Sequence, residues 1–253
     1  MSSLTEPTTP ASLSESSHET LVSPDEEQSG YESDTESEDE GSDMVVRLKE
    51  IATVGKLYAE KVLVATEQPK YPAKPALLDK ISLFQGDITK LEVDSIVNAA
   101  NRSLLGGGGV DGAIHAAAGR DLLKECRTLG GAQTGESKIT KAYRLPSKHI
   151  IHTVGPIYSS SDVETKEEQL RSCYRSSLQL AIQNSLKHIA FCSVSTGIYG
   201  YPIGAATHVA LDEVRKFCDS EDGEKLDRAV FVVWSDKDKH VYEKLIPEYF
   251  PPA

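Results

Sequence analysis

Residues 85–115 have the sequence QGDITKLEVDSIVNAANRSLLGGGGVDGAIH, in which an apolar run leads through two asparagines to four consecutive glycines. Small and β-branched side chains between Val93 and Ala100 predict a buried strand that ends near Asn98. In open α/β sheets, ligands bind at the carboxyl ends of the strands, where the loops converge. We therefore expect Asn98 and Asn101 to lie at a ligand site.

A glycine loop follows this strand and consists of Gly106, Gly107, Gly108 and Gly109. Glycine has no Cβ and tolerates positive φ, so this backbone can bring its N–H groups against a bulky anion. A helix predicted from Val110 to Ala118 would add the positive end of its dipole, and a diphosphate is therefore the expected ligand. The alternative is a flexible loop followed by an ordinary first-turn acid, Asp111.

The glycines also match the dinucleotide fingerprint G-x-G-x-x-G, through Gly107, Gly109 and Gly112. In that fingerprint the first glycine follows the strand almost directly, and an acid closes the next strand about 20 residues later. Here residues 101–105 intervene, and Glu136, the acid that would have to close the next strand, lies in a polar segment. The spacing therefore disfavours a dinucleotide site. A carboxylate would repel a pyrophosphate, so Asp111 is expected to face an uncharged part of the ligand, such as a sugar.

A second loop of small residues follows an apolar strand predicted from Ile189 to Val194, and it contains Ser195, Thr196, Gly197, Ile198 and Tyr199. Its hydroxyls and N–H groups, with the start of a helix predicted from Ile203 to Cys218, also suit a phosphate. Tyr199 is expected either against a ribose of the ligand or as a solvent-facing turn residue.

An earlier strand, predicted from Ile81 to Phe84, delivers Asp87 and Ile88 at its end. An aspartate there can accept a hydrogen bond from an exocyclic amine, although alone it would be an ordinary turn residue. His152 lies in an apolar strand predicted from His149 to Val154, and we interpret it as a satisfied core histidine. Strands alternate with helices along this part of the chain, which predicts a three-layer α/β/α domain.

The acidic charge of the 253-residue chain is concentrated at its N-terminus, where residues 1–43 hold 13 of the 39 acidic residues and no lysine or arginine. That segment has few large apolar side chains, so disorder is expected. A helix is predicted from Met44 to about Ala65, followed by a proline-containing connector. The chain thus divides into a tail (1–43), a helical extension (44–80) and a main domain (81–253). The nearly neutral remainder gives no broad basic surface for nucleic acid.

The four cysteines are scattered and show no metal-ligand spacing: Cys126, Cys173, Cys192 and Cys218. This favours a reducing compartment and disfavours structural zinc, and neither a metal nor a cofactor is expected. No segment approaches 18 consecutive apolar residues, and the acidic N-terminus is unlike a signal or transit peptide. We expect a monomer in the cytosol or nucleus, without a membrane association.

Four motifs resemble the signature of MacroD-type macrodomains: GDITKLEVDSIVNAANRSLLGGGGVDGAIHAAAG, TGESKITKAYRLPSKHIIHTVGP, SVSTGIYGYP and LIPEYFPP. They occur in the order and spacing of the family, from near Ile81 to the end of the sequence. The resemblance implies an α/β fold, namely a three-layer α/β/α macrodomain with a mixed central sheet. It also implies binding of ADP-ribose and hydrolysis of ADP-ribosyl groups from proteins.

The resemblance implies a role for most of the candidate residues. Asp87, followed by Ile88, matches the aspartate with which the family reads adenine. The two loops of small residues would grip the diphosphate, and Asn98 and Val110 join the binding residues. ADP-ribose is then the expected ligand, and mono-ADP-ribosylated proteins are the expected partners.

Asn101, Asp111 and His115 are the candidate catalytic residues, because they remain for the distal ribose once the other residues hold the rest of the ligand. His115 lies one helical turn beyond Asp111 and could orient its carboxylate. An aspartate can position or deprotonate a water for attack on the anomeric carbon. A leaving carboxylate has a solution pKa of about 4 and departs with little protonation, so Glu or Asp esters suit this site better than a serine alkoxide.

Two alternatives stay open from the sequence. O-acetyl-ADP-ribose carries an ester on the same ribose and could be hydrolysed in the same pocket. A non-catalytic reader of ADP-ribosylated proteins would need only the binding residues. The presence of Asn101 and Asp111 within a specific motif favours the hydrolase.

Overall fold

A six-stranded mixed sheet forms the centre of the structure, a computed structural model that describes residues 44–253. The predicted tail at residues 1–43 lies outside the described residues. The strands are β1 (Val46–Arg47), β2 (Ile81–Gln85), β3 (Leu91–Glu92), β4 (Ser95–Ala100), β5 (Ser137–Lys141), β6 (His149–Val154), β7 (His188–Phe191) and β8 (Arg228–Val233). The central sheet has the order β2-β8-β7-β4-β6-β5, and only β5 is antiparallel to its neighbour. The predicted mixed central sheet is confirmed.

Helices cover both faces of this sheet. They are α1 (Val54–Ala59), α2 (Pro75–Leu78), α3 (Gly109–Ala118), α4 (Arg120–Thr128), α5 (Val163–Gln183), α6 (Ile203–Asp219) and α7 (Asp236–Tyr249). Successive side chains of a strand point to opposite faces. Asn98 of β4 contacts Asp111 of α3, whereas Phe191, in register with the adjacent Val97, packs against Tyr174 of α5. The three-layer architecture is therefore confirmed, and no helix within residues 44–253 is long and apolar enough to cross a membrane.

The N-terminal part of the described chain contains less helix than its pattern predicts. The pattern predicts a helix over residues 44–65, but α1 covers only Val54–Ala59. Thr53 caps its first turn, and Lys61, just beyond its end, has a left-handed φ of 60° that no helix continues through. The segment shares the hydrophobic core of the sheet through Ile51, Val54, Leu63 and Leu77.

The strand of the central motif extends further along the chain than predicted. β4 runs to Ala100 and does not end near Asn98. Its parallel pairing with β6 continues as far as Ala100, opposite Val154, and this pairing carries the strand beyond Asn98. Asn98 consequently lies inside the strand and faces α3, whereas Asn101 is the first residue after it.

Candidate active site

A cavity of about 690 Å³ opens at the carboxyl ends of β2, β4, β7 and β8. These four strands are parallel neighbours in the sheet, so the loops that leave them come together along one edge. The volume lies within the range of about 300–1,000 Å³ that is typical of small-molecule sites. The sheet edge expected to hold a ligand therefore does contain a cavity.

Most of the predicted site residues line this cavity. They are Asp87, Ile88, Asn101, Gly107, Gly108, Gly109, Val110, Asp111, Ser195, Thr196, Gly197, Ile198 and Tyr199. These residues come from three loops that are far apart in the sequence, after β2, β4 and β7. Three predicted residues do not line the cavity: Asn98, Gly106 and His115.

Backbone conformation or a close backbone contact accounts for three glycines in and before α3. Gly106 and Gly109 have positive φ values of 89° and 61°. A Cβ on Gly112 would stand 2.6 Å from the carbonyl oxygen of Gly107, so a side chain there would displace the loop. Because α3 begins at Gly109, the N–H groups of its first turn have no partner within the helix. They belong to residues that line the cavity, where such N–H groups suit an anion.

Asp111, in the first turn of α3, is almost wholly buried, with 3% of its surface exposed. Its Oδ1 accepts a hydrogen bond of 2.7 Å from Asn98 Nδ2, and His115 Nε2 lies 3.5 Å from the same oxygen. Burial raises the pKa of the carboxyl, while the Asn98 hydrogen bond and the charge of His115 oppose that rise. Asp111 Oδ2 faces the glycine loop, 3.1 Å from the position that a Cβ on Gly107 would take.

The side chain of Asn101 folds back onto the loop that follows β4. Its Nδ2 donates a hydrogen bond of 2.8 Å to the carbonyl of Gly106, and its Oδ1 accepts from the N–H and the hydroxyl of Ser103 at 3.0 and 2.6 Å. Asn101 Nδ2 also lies 3.1 Å from the position of a Gly107 Cβ. The amide of Asn101 and the carboxylate of Asp111 therefore converge on one point beside Gly107.

The loop after β7 approaches the glycine loop across the cavity. Ile198 Cδ1 lies 3.1 Å from the position of a Cβ on Gly108, although Ile198 is 79% exposed. Ser195 is buried and has a left-handed φ of 66°. A Cβ on Gly155 would overlap the Ser195 hydroxyl, so only glycine fits there. The two loops thus enclose the middle of the cavity.

Known proteins share both the sequence and the fold of this chain. The family model described as the Macro domain matches residues 97–210. The ADP-ribose glycohydrolase MACROD1 of Rattus norvegicus is 50% identical over 208 residues, which cover 82% of this chain and 80% of the rat protein. The chain belongs to the MacroD-type macrodomains. Among solved structures, the macro domain of ganglioside induced differentiation associated protein 2 is 36% identical with a TM-score of 0.76, covering 83% of this chain and 98% of that chain.

Two further relatives of this macrodomain are informative. A Trypanosoma brucei macrodomain solved in complex with ADP-ribose is 44% identical with a TM-score of 0.65, covering 79% of this chain and 75% of that chain. The MACROD1 protein of Bos taurus is 52% identical over 208 residues, covering 82% of this chain. This macrodomain chain spans 63% of the bovine protein, less than two thirds of its length.

Three predicted site residues of the macrodomain lie behind the cavity wall. Asn98 does not line the cavity as predicted, because it lies inside β4 and its fully buried side chain points beneath α3 to Asp111. His115 likewise reaches the cavity only through Asp111. Gly106 contributes its carbonyl to Asn101. These residues support the ones that face the cavity.

Other residues of the macrodomain cavity were not singled out by the sequence pattern. Gly155 follows β6, and Trp234 and Asp238 follow β8. Trp234 is 76% exposed, and the pairing of β2 with β8 brings it to the same sheet edge as Asp87. The available signal was its position, since the single tryptophan of the chain ends the apolar run AVFVVW at residues 229–234.

One group of described side chains in the macrodomain has the chemistry of a metal site: His115, Cys126 and His152, whose ligand atoms lie within 4.8 Å of one another. No spacing in the sequence indicates this group, because its members come from α3, α4 and β6. Burial raises the pKa of the Cys126 thiol to about 11. That shift disfavours the thiolate, which is the form that binds metals.

Proposed function

We propose that this macrodomain binds ADP-ribose and hydrolyses the ester that joins mono-ADP-ribose to Glu or Asp side chains of proteins. The observation that carries the proposal is the convergence of Asn101 Nδ2 and Asp111 Oδ2 beside Gly107, within a cavity walled by two anion-binding loops. The rat relative is named an ADP-ribose glycohydrolase, and the Trypanosoma brucei macrodomain holds ADP-ribose. Both support the same ligand and reaction class here.

The cavity offers a place for each part of ADP-ribose. The diphosphate lies between the first turn of α3 and the loop that contains Thr196 and Gly197, where backbone N–H groups suit an anion. Trp234 presents an aromatic face to the adenine base, and Asp87 provides an acceptor for its amine. The distal ribose then lies beside Gly107, within reach of the proposed catalytic groups.

Asp111 activates the attacking water in this proposal. A buried carboxylate with a raised pKa is a stronger base than an exposed one. The water oxygen bonds to the anomeric carbon, and the bond from that carbon to the ester oxygen breaks with its electron pair on the leaving carboxylate. The proton of the water passes to Asp111 and then to solvent. Asn101 Nδ2, beside the same point, orients the ribose.

The leaving group decides the substrate class. Asp111 serves as the base, and an amide such as that of Asn101 cannot donate a proton to a departing alkoxide. A carboxylate leaving group has a solution pKa of about 4 and needs no such donation. Esters of Glu or Asp are therefore the proposed substrates, and serine-linked ADP-ribose is not. O-acetyl-ADP-ribose, whose acetyl group is an ester on the distal ribose, is a second substrate for the same cavity; there the water attacks the acetyl carbonyl carbon, the acyl–oxygen bond breaks, and acetate and the protonated ribose hydroxyl are the products.

The proposal also covers the oligomeric state and the cellular location of the protein. We propose a monomer that acts on mono-ADP-ribosylated proteins in the cytosol or nucleus. All four cysteines are buried and unpaired, which supports a reducing compartment. Sedimentation of the full chain as a dimer would contradict the monomer.

The test uses a protein carrying mono-ADP-ribose on one glutamate, incubated with the full chain in water enriched in oxygen-18. We expect free ADP-ribose and a glutamate without the label, because water attacks the anomeric carbon. Labelled glutamate would instead show attack on the ester carbonyl. Tight binding of ADP-ribose without any release would make the protein a reader. A serine-linked target, run in parallel, should remain largely intact.

A further inference from the structure

A buried chain of hydrogen bonds leads from Asp111 away from the cavity. Asn98 Nδ2 donates to Asp111 Oδ1 at 2.7 Å and lies 3.1 Å from His152 Nδ1. On the other side of the ring, His152 Nε2 lies 2.9 Å from Thr140 Oγ1. None of these four side chains is more than 3% exposed. Solvent therefore cannot replace a partner that is lost from the chain.

The Asp111 carboxylate sets the direction of every bond in this chain. An ionised carboxylate only accepts hydrogen bonds, so Asn98 must turn its NH₂ group toward it. The second hydrogen of that NH₂ group points to His152 Nδ1, which must accept it and is therefore unprotonated. The ring proton is then on Nε2 and is donated to Thr140. Burial lowers the pKa of His152 to about 3, which keeps the ring neutral.

The register of the sheet puts these groups in line. Asn98 of β4 and His152 of β6 are direct partners across parallel strands. Thr140 of β5 is paired with Ile150, two residues before His152, and so points to the same face. Three adjacent strands thus direct Asn98, His152 and Thr140 to the same face of the sheet.

The geometry points to His152 as a positioning residue, which aims the Asn98 amide at Asp111 and thereby holds the carboxylate with Oδ2 toward the cavity. This inference rests on the proposed function of Asp111. Without an acceptor at Nδ1, the Asn98 amide could turn over and present its oxygen to the carboxylate. Asn98 Oδ1 has no hydrogen-bond partner among residues 44–253, so no bond from these residues opposes the flip on that side.

Two substitutions separate this role from simple packing. His152→Leu removes the acceptor with little change in volume, whereas His152→Asn keeps an acceptor oxygen near the position of Nδ1. The measurements are the pKa of Asp111, from carbon-13 NMR of its carboxyl, and kcat and KM on a glutamate-linked target. The other ionisable groups that act on Asp111, namely His115, Cys126 and Cys192, are unchanged in both variants.

We expect His152→Leu to raise the pKa of Asp111, because the ionised form loses its oriented donor. The acid limb of kcat should move to higher pH with it, and kcat at neutral pH should fall about tenfold while KM stays within about twofold. His152→Asn should recover most of both effects. The matched control is Thr153→Val, in the same strand as His152. The Thr153 side chain lies on the opposite face of the sheet, and its buried hydroxyl is hydrogen-bonded to Ser137. Its removal should leave the pKa of Asp111 unchanged.

A wild-type pKa of Asp111 and a wild-type kcat in His152→Leu would overturn the inference, as would equal impairment in His152→Asn. If His152→Leu fails to fold, nitrogen-15 NMR of the wild-type histidines can instead show which ring nitrogen of His152 carries the proton. A neutral His152 ring with its proton on Nε2 is expected, and a proton on Nδ1 overturns the inference. The pKa of Asp111 can be measured by carboxyl NMR without any catalytic turnover. An inactive wild type would therefore refute the proposed hydrolase activity, and the effect of His152 on Asp111 could still be measured.

Discussion

Gly107→Ala would place one methyl group between the two side chains to which we assign the reaction. The added Cβ would lie 3.1 Å from both Asn101 Nδ2 and Asp111 Oδ2. Comfortable contacts of a carbon atom start near 3.5 Å, so each side chain must yield by a few tenths of an ångström. The methyl group would also occupy the space where the proposal places the ribose and the water.

The cost to the reaction can be estimated from that displacement. A misplacement of about 1 Å can cost about 100-fold in rate, so a shift of a few tenths of an ångström at both groups should cost about tenfold. Gly107 does not have a positive φ, and an alanine there causes no backbone strain. The free energy of unfolding should therefore change by less than about 1 kcal/mol.

The assay is single-turnover release of ADP-ribose from a glutamate-linked target, with thermal melts of each variant. Gly204→Ala is the control, since Gly204 lies in α6 outside the cavity and a Cβ there meets no atom of the described residues within 4 Å. It should keep the wild-type rate and gain up to about 1 kcal/mol of stability from its higher helix propensity. A wild-type rate in Gly107→Ala would refute the assignment of the reaction to this point.

Three other outcomes are expected. Asp87→Ala should weaken ADP-ribose binding by about 1–3 kcal/mol in calorimetry, and an unchanged affinity would remove Asp87 from the adenine site. Deletion of residues 1–43 should leave the rate and the Tm nearly unchanged, because that composition cannot bury much apolar surface; a large loss of activity would show that the segment contributes to the site. Burial raises the pKa of Asp111 above 3.8, so kcat should decline as the pH falls through that raised pKa, and full activity down to pH 3.8 would exclude Asp111 as the base.

Much of the fold was predictable from the sequence, because the parallel strands of the central sheet are short apolar runs and the long covering helices have apolar stripes; the polar strand β5 is the exception. The predictions failed at the ends of two elements. Lys61, with its left-handed backbone, follows the end of α1. β4 runs on to Ala100 because its pairing with β6 continues as far as Val154. Neither effect is visible in local periodicity.

The loops that line the cavity were predictable from the sequence, but the buried residues behind them were not. The glycine loop and Asp111 stand in one motif, so their proximity follows from the sequence. The partnership of Asn98 with His152, 54 residues away, depends on which strands are neighbours and in what register. Trp234 reaches the cavity only because β8 pairs with β2. Contacts of this kind come from sheet topology, which no single segment encodes.

Asp111→Asn tests the central assignment most directly. The substitution keeps the size of the side chain and an oxygen acceptor for Asn98. Because the pKa of Asp111 is raised in the folded protein, ionisation of this carboxyl lowers the free energy of unfolding at any pH above that pKa. The neutral amide of Asp111→Asn avoids this loss, so the Tm of the variant at pH 7 should equal or exceed that of the wild type.

The decisive measurement is the single-turnover rate of ADP-ribose release from a glutamate-linked target by the wild type and by Asp111→Asn, with the affinity of both for ADP-ribose from calorimetry. We predict a rate at least about tenfold lower in the variant and an affinity within about twofold of the wild type, since the carboxylate acts mainly in the transition state. A folded Asp111→Asn protein that releases ADP-ribose at the wild-type rate would contradict the assignment and point to a water activated by the ligand's own phosphate.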